Sequence, residues 1–361
     1  MERHYLDYNA TAPVRPEVAA IMAELHAMPL NASSVHAEGR HARSVIETAR
    51  RLIAEHIGVF PAEIVFTGSG TESNNWVLQA YAGKPQVISA VEHSSILKAA
   101  IKPMVLHVDS QGVVDLTRLA DTLPRTEGFL VSVMLANNET GVIQPMSDIA
   151  KIVHERGGVL HCDAAQALGK ITLDFTSLGC DLMTICAHKM GGPIGAAALV
   201  VRNGLAIPAQ SIGGGQEMNR RAGTENAVAI AGFAEAVKHI DLAQMKTLNA
   251  WLMEFEKLAV AQGATIMGGK ADRAPNVTCV AMPGMRAQTQ MMLLDLDGIS
   301  VSAGSACTSG KASGSHVLAA MGVSDSLADS AIRVSGGWGT TKESIEAFSR
   351  KWVTFRQKQP A

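Results

Sequence analysis

Seven short apolar runs between residues 64 and 201 (64–66, 86–90, 104–108, 129–135, 159–162, 182–186 and 196–201) alternate with stretches of helical periodicity. This alternation limits the chain more than any other feature. Strands that take turns with helices satisfy their backbone in a largely parallel sheet covered on both faces. The reading is an α/β domain with a mostly parallel seven-stranded sheet, assigned to residues 15–255. Helices over 17–27 and 36–56 precede the sheet; the second carries Ala42, Val45, Ile46, Ala49, Leu52, Ile53 and Ile57 on one face and stops at Gly58. One continuous helical segment over 224–262 leaves the sheet. Strands at 277–282, 299–303 and 331–335, with helices near 288–296, 313–321 and 341–356, then form a smaller α+β unit built from residues 1–14 and 256–361. Its last helix is expected to open with a capping box from Thr340 to Glu343 and to bury Ile345, Phe348, Trp352 and Phe355.

The chain's 361 residues, 47% of them hydrophobic, suffice for one large core and a smaller one. A net charge of −2 gives no electrostatic case for nucleic acid or an anionic membrane. No apolar run nears the roughly 20 residues needed to span a bilayer, and Met1-Glu2-Arg3-His4 lacks a basic-then-apolar signal pattern. A soluble cytoplasmic protein is expected. Five cysteines, Cys162, Cys180, Cys186, Cys279 and Cys307, are scattered without a CxxC pair, which argues against a disulfide framework and against a zinc or other metal site.

Four stretches carry chemistry. His188-Lys189 follows the apolar run 182–186 and precedes Gly191-Gly192-Pro193-Ile194-Gly195, so Lys189 stands at a strand end where a glycine-rich loop lets another molecule approach. Taken alone, the pair is more readily a solvated loop. Thr67-Gly68-Ser69-Gly70-Thr71-Glu72 leaves a strand and opens a helix, a geometry that aims free N–H groups at an anion such as a phosphate; the other account is glycine placed only for positive φ. Asp163 in His161-Cys162-Asp163-Ala164-Ala165-Gln166 ends a third strand, either as a helix cap or as the partner of a cation. His93 follows a fourth, placed to stack on a flat ring or shuttle protons, or simply structural. Together a phosphate-type turn, a strand-end carboxylate and a loop lysine meet the needs of pyridoxal 5′-phosphate: an amine for a Schiff base, a carboxylate for the pyridine nitrogen and a helix N-terminus for the phosphate.

At this point nearly the whole chain resembles the cysteine desulfurases of the NifS/IscS type, within the fold-type I pyridoxal-phosphate enzymes. The stretches that carry the resemblance are Tyr5-Leu6-Asp7-Tyr8-Asn9-Ala10-Thr11, Gly70-Thr71-Glu72-Ser73-Asn74, Glu92-His93, Asn137-Asn138-Glu139-Thr140-Gly141, Asp163-Ala164-Ala165-Gln166, Ala187-His188-Lys189, Arg221-Ala222-Gly223-Thr224-Glu225-Asn226 and Gly304-Ser305-Ala306-Cys307-Thr308-Ser309. The resemblance implies that Lys189 joins the cofactor, His93 stacks on its ring, Asp163 meets the ring nitrogen, and Gln166 and Asn138 meet its hydroxyl side. It implies further that Gly70, Thr71 and His188 hold the phosphate, that Cys186 stands where a serine usually donates to it, and that Thr224 reaches the phosphate of a neighbouring subunit in a homodimer.

Cys307 sits in a small, glycine-rich stretch suited to a swinging thiol rather than to packing. The expected reaction takes sulfur from free L-cysteine onto Cys307 as a persulfide and leaves L-alanine, with Lys189 moving the α proton and His93 helping to form the thiolate. Arg333 is expected to clamp the substrate carboxylate, assisted by Asn31 and Asn138. A sulfur-acceptor protein, an iron–sulfur scaffold or another sulfur carrier, follows from that chemistry. A selenocysteine lyase or another β-lyase using the same cofactor is the alternative. Ala32, Cys186, Ile194, Ala312-Ser313-Gly314 and Gly336-Gly337-Trp338-Gly339 depart from the family's usual residues.

Overall fold

The computed structural model describes residues 3–303 and 314–357. The strands are β1 (His4–Tyr5), β2 (Ile64–Thr67), β3 (Gln86–Ser89), β4 (Met104–Leu106), β5 (Leu130–Met134), β6 (Val159–Asp163), β7 (Leu182–Cys186), β8 (Ala197–Val201), β9 (Thr265–Ile266), β10 (Val277–Ala281), β11 (Ile299–Ser300), β12 (Ser302–Ala303) and β13 (Ala331–Ser335). Seven of them form the large sheet in the order β2-β8-β7-β6-β5-β3-β4. Only β8 runs against the rest, antiparallel to both β2 and β7.

Alternate side chains of one strand enter opposite cores, as a sheet covered on both faces requires. From β2, Ile64 and Phe66 join the core under the helices Ala37–Ile57 and Ala227–Lys238, whereas Val65 joins Trp76, Val77 and Leu78 on the other face. From β8, Ala198 and Val200 go one way and Leu199 and Val201 the other. A separate core gathers Leu6, Leu248, Leu252, Phe255, Ile332, Phe348 and Trp352, with Phe255 edge-on to Phe348 at 4.8 Å and to Trp352 at 5.5 Å.

Several boundaries depart from the sequence reading. The segment read as one helix over 224–262 is two, Ala227–Lys238 and Leu242–Ala261. The carboxylate of Asp241 caps the second by accepting the N–H groups of Ala243 and Gln244, which starts a new helix. From Met245 onward the second helix buries its side chains in the smaller core, so the passage between cores falls near Asp241 rather than at 255, inside a helix. The run 299–303 is also two strands: β11 pairs with β1, and β12 turns away to pair with β13. The last helix, Lys342–Gln357, is capped by Thr341, whose hydroxyl accepts the Ser344 N–H; the Thr340 hydroxyl accepts from Gly337 instead.

Candidate active site

Five segments that follow carboxyl ends of β2, β3, β5, β6 and β7 converge on one cavity of about 330 Å³, where open α/β sheets place their ligands. Its wall holds Gly70, Thr71, His93, Asn138, Asp163, Gln166, Cys186, His188 and Lys189, and Arg333 of β13 closes it from the smaller unit.

After β2 the helix Gly70–Ala80 begins with Ser69 as its cap, the hydroxyl accepting the Glu72 N–H at 3.1 Å. The Glu72 carboxylate takes the Gly68 N–H at 2.6 Å, and Arg221 pairs with it at 2.9 Å. The helix thus keeps the N–H groups of Gly70 and Thr71 for the cavity, with the positive dipole end behind them. Neither Gly68 nor Gly70 has positive φ, so left-handed backbone does not explain these glycines.

Asp163, the last residue of β6, is 3% exposed and accepts from Asn74 Nδ2 at 2.7 Å and from the Ala165 N–H at 3.0 Å. Among the described residues no basic side chain pairs with it. A buried carboxylate without a cation of its own suits a ligand that brings a proton to it.

His93 caps the short helix Ser94–Leu97; its Nδ1 accepts the Ser95 N–H at 3.2 Å and lies 2.9 Å from the Ser95 hydroxyl, which in turn accepts from Asn74. A backbone N–H can only donate, so the neutral ring carries its proton on Nε2. Burial, followed by the charge of Lys189, pushes the His93 pKa down. The same two causes bring His188 down to about 4. Lys189 follows β7 on a loop whose Gly191 has φ +95°; a side chain there would strike Arg15 and Trp338. Cys186 donates its thiol hydrogen toward the Ala165 carbonyl at 3.7 Å.

Arg333 is 2% exposed; one Nη donates to Asp7 at 2.7 Å and the other to the Asn138 carbonyl at 2.9 Å. The sequence reading missed Asp7 as its partner, and missed Lys170, whose amine reaches Asn9 and Gln166. Asp7 and Asn9 lie inside a quoted motif; Lys170 gave no signal beyond standing four residues after Gln166. Asn31 and Thr224 are exposed and do not line the cavity. Cys307 lies outside the described residues.

The class-V aminotransferase family matches residues 4–348. A cysteine desulfurase IscS of Dictyoglomus turgidum is 38% identical over 362 residues, covering 94% of this chain and 91% of that one. A cysteine desulfurase of Sinorhizobium fredii is 39% identical, covering 96% and 94%. The chain belongs to the class-V aminotransferases, in the cysteine desulfurase group. Among solved structures, a NifS-like protein from Rickettsia africae superposes with a TM-score of 0.92 at 36% identity, covering 99% of this chain and 100% of that one. SspA in complex with cysteine superposes with a TM-score of 0.82 at 28% identity, over 94% and 100%.

Cysteine desulfurases of this family depend on pyridoxal phosphate in general. The cavity fits that group on three independent grounds: a helix N-terminus for an anion, a buried carboxylate without a counter-cation, and an amine just past the end of the neighbouring parallel strand. No helix among the described residues is long and apolar enough to cross a membrane.

Proposed function

We propose that this chain is a pyridoxal-phosphate-dependent cysteine desulfurase that takes sulfur from L-cysteine, releases L-alanine and holds the sulfur on Cys307 as a persulfide. The observation that carries the reading is the meeting of Lys189, the cation-free Asp163 carboxylate and the Gly70–Ala80 helix N-terminus in one cavity. When bound, the cofactor supplies an electron sink for the electrons of the substrate's Cα–H bond.

The chain's own groups do the rest. Gly70 and Thr71 hold a phosphate with their N–H groups, with His188 and Cys186 beside them. Asp163 keeps a proton at the ring nitrogen. Gln166 and Asn138 border the ring's hydroxyl edge, and His93 covers its face. Arg333 receives the substrate carboxylate with a guanidinium already oriented by Asp7, and Asn138 assists. The Lys189 amine takes the α proton. The Cys307 thiolate then attacks the substrate sulfur: an S–S bond forms, the Cβ–S bond breaks, and the electron pair left on the three-carbon unit is protonated to alanine. His93 helps to form the Cys307 thiolate; its Nδ1 accepts the Ser95 N–H, which fixes the ring beside the cavity.

The functional unit in this reading is a cytoplasmic homodimer. Val35, Ile194 and Ile212, exposed by 87, 78 and 97%, are large apolar side chains of the kind a second copy covers, and the exposed Thr224 reaches the phosphate of that copy. A separate acceptor protein then removes the persulfide sulfur. The test is alanine and sulfide release from L-cysteine with a thiol reductant present. Cys307→Ala is expected to abolish release while the visible absorbance of bound cofactor persists. Turnover at the wild-type rate by that variant sinks the persulfide assignment.

A further inference from the structure

Lys170 has no place in the chemistry above, yet it is 4% exposed and its amine ends beside the cavity wall. Lysine is rarely buried without a carboxylate, and among the described residues no carboxylate pairs with it. Its Nζ donates to two acceptors, Asn9 Oδ1 at 2.7 Å and Gln166 Oε1. An uncharged amine has two N–H groups and both are used, whereas an ammonium would leave a third buried and unmatched. Burial, followed by the charge of Lys189, holds this amine well below the ordinary lysine range, in agreement with that count.

The consequence falls on Gln166. An amide has nearly the same shape when its oxygen and nitrogen trade places, so shape alone does not say which end meets a ligand. Here two contacts agree. Lys170 donates to Oε1, and Nε2 donates to the Asn9 carbonyl at 2.9 Å; turning the amide over would set Oε1 against that carbonyl oxygen. One N–H of Nε2 then remains for the cavity that Gln166 lines. Asn9 is held in turn from the smaller unit, where Asn276 donates to its Oδ1 at 3.0 Å and Ser335 accepts its N–H at 3.0 Å.

We propose that Lys170 is a positioning residue that locks the Gln166 amide so that it presents a donor, not an acceptor, to the oxygen-bearing edge of the cofactor ring. This rests on the function proposed above. A fixed donor there favours the deprotonated ring oxygen and tightens cofactor binding.

The experiment is a pH titration of the visible absorbance of holoprotein, run on wild type, Lys170→Met, Gln166→Ala and the double variant. Each is loaded with pyridoxal phosphate and, separately, with its analogue lacking the ring hydroxyl. Lys170→Met is expected to move the titration midpoint by about one pH unit and weaken cofactor affinity about tenfold, the size of one lost hydrogen bond to a charged group. The double variant is expected to match Gln166→Ala, and the Lys170→Met effect on affinity is expected to vanish with the analogue. An unchanged midpoint, or an affinity loss that adds to that of Gln166→Ala or survives with the analogue, overturns the proposal. If Lys170→Met does not fold, Lys170→Gln carries the same comparison, and there too an unmoved midpoint overturns it. Failure of the underlying function would look different: wild type itself would take up no cofactor and develop no visible band.

Discussion

Replacing Glu217 with alanine tests whether the segment that joins the large sheet to Arg221 is held by one buried ion pair. The Glu217 carboxylate, 1% exposed, accepts from both Nη atoms of Arg50, at 2.8 and 2.7 Å, and from the Phe66 N–H at 2.7 Å. Glu217, Met218 and Asn219 all have positive φ, 48, 56 and 63°, a conformation that costs roughly 1–3 kcal/mol per non-glycine residue and persists only where surrounding contacts impose it. Removing the carboxylate leaves the Arg50 side chain, 5% exposed, with the half-exposed Glu47 and the Ile64 carbonyl, and strands the Phe66 N–H. Breaking a buried pair costs about 3–5 kcal/mol, and an orphaned buried N–H about 1–3. Relief of the strained backbone and the remaining Glu47 contact offset part of this, so a net loss of about 4 kcal/mol is expected. At about 2–4 °C per kcal/mol, the melting temperature falls by roughly 10 °C. The assay is thermal unfolding of apoprotein by circular dichroism at fixed protein concentration, with Glu72→Gln as control. The Arg221–Glu72 pair is 25 and 20% exposed, so its loss is worth about 1 kcal/mol or less. If Glu217→Ala and Glu72→Gln shift the midpoint equally, burial does not set the strength of these pairs and the reasoning fails.

Two further predictions concern pH. Burial raises Glu139 to about 7 despite the Ser315 hydroxyl on its carboxylate, so the fold binds a proton that the unfolded chain has lost between about pH 4.5 and 7. Its contribution is fully present below the unfolded value and is lost as pH rises through 7, about 3 kcal/mol in all; urea unfolding of Glu139→Gln should show that decline in stability flattened. Burial lowers His161 to about 4, where its ring nitrogens face Ser132 and Thr184. Its contribution is present above about pH 6.5 and lost as pH falls through 4, so His161→Gln should remove about 3 kcal/mol of acid-side slope in the same measurement. A slope unchanged in either variant would mean that other groups carry it.

The large sheet and the residues at its strand ends were legible because both are local: each strand is a short apolar run, and Gly70, His93, Asp163 and Lys189 follow such runs within a few positions. What was hidden depends on contacts between distant segments. Nothing in the composition of 224–262 marks a break except Asp241, which reads as a surface residue until its cap is seen. Residues 299–303 read as one strand because apolar character does not say that β11 and β12 choose different partners. Asp7 and Lys170 were missed for the same reason. Their charges look solvated in sequence, and only the fold brings Arg333 to the first and Asn9 and Gln166 to the second.

The hydrogen bond from Asn9 to Ser335 joins positions 326 residues apart, and Asn9 also braces the wall through Gln166 and Lys170. A ribosome-bound chain that has already made its large sheet therefore still lacks one side of the pocket. The cavity is finished only when β13 has left the exit tunnel, so a truncated message yields a chain with Lys189 in place after β7 and no Arg333 to close the opposite wall.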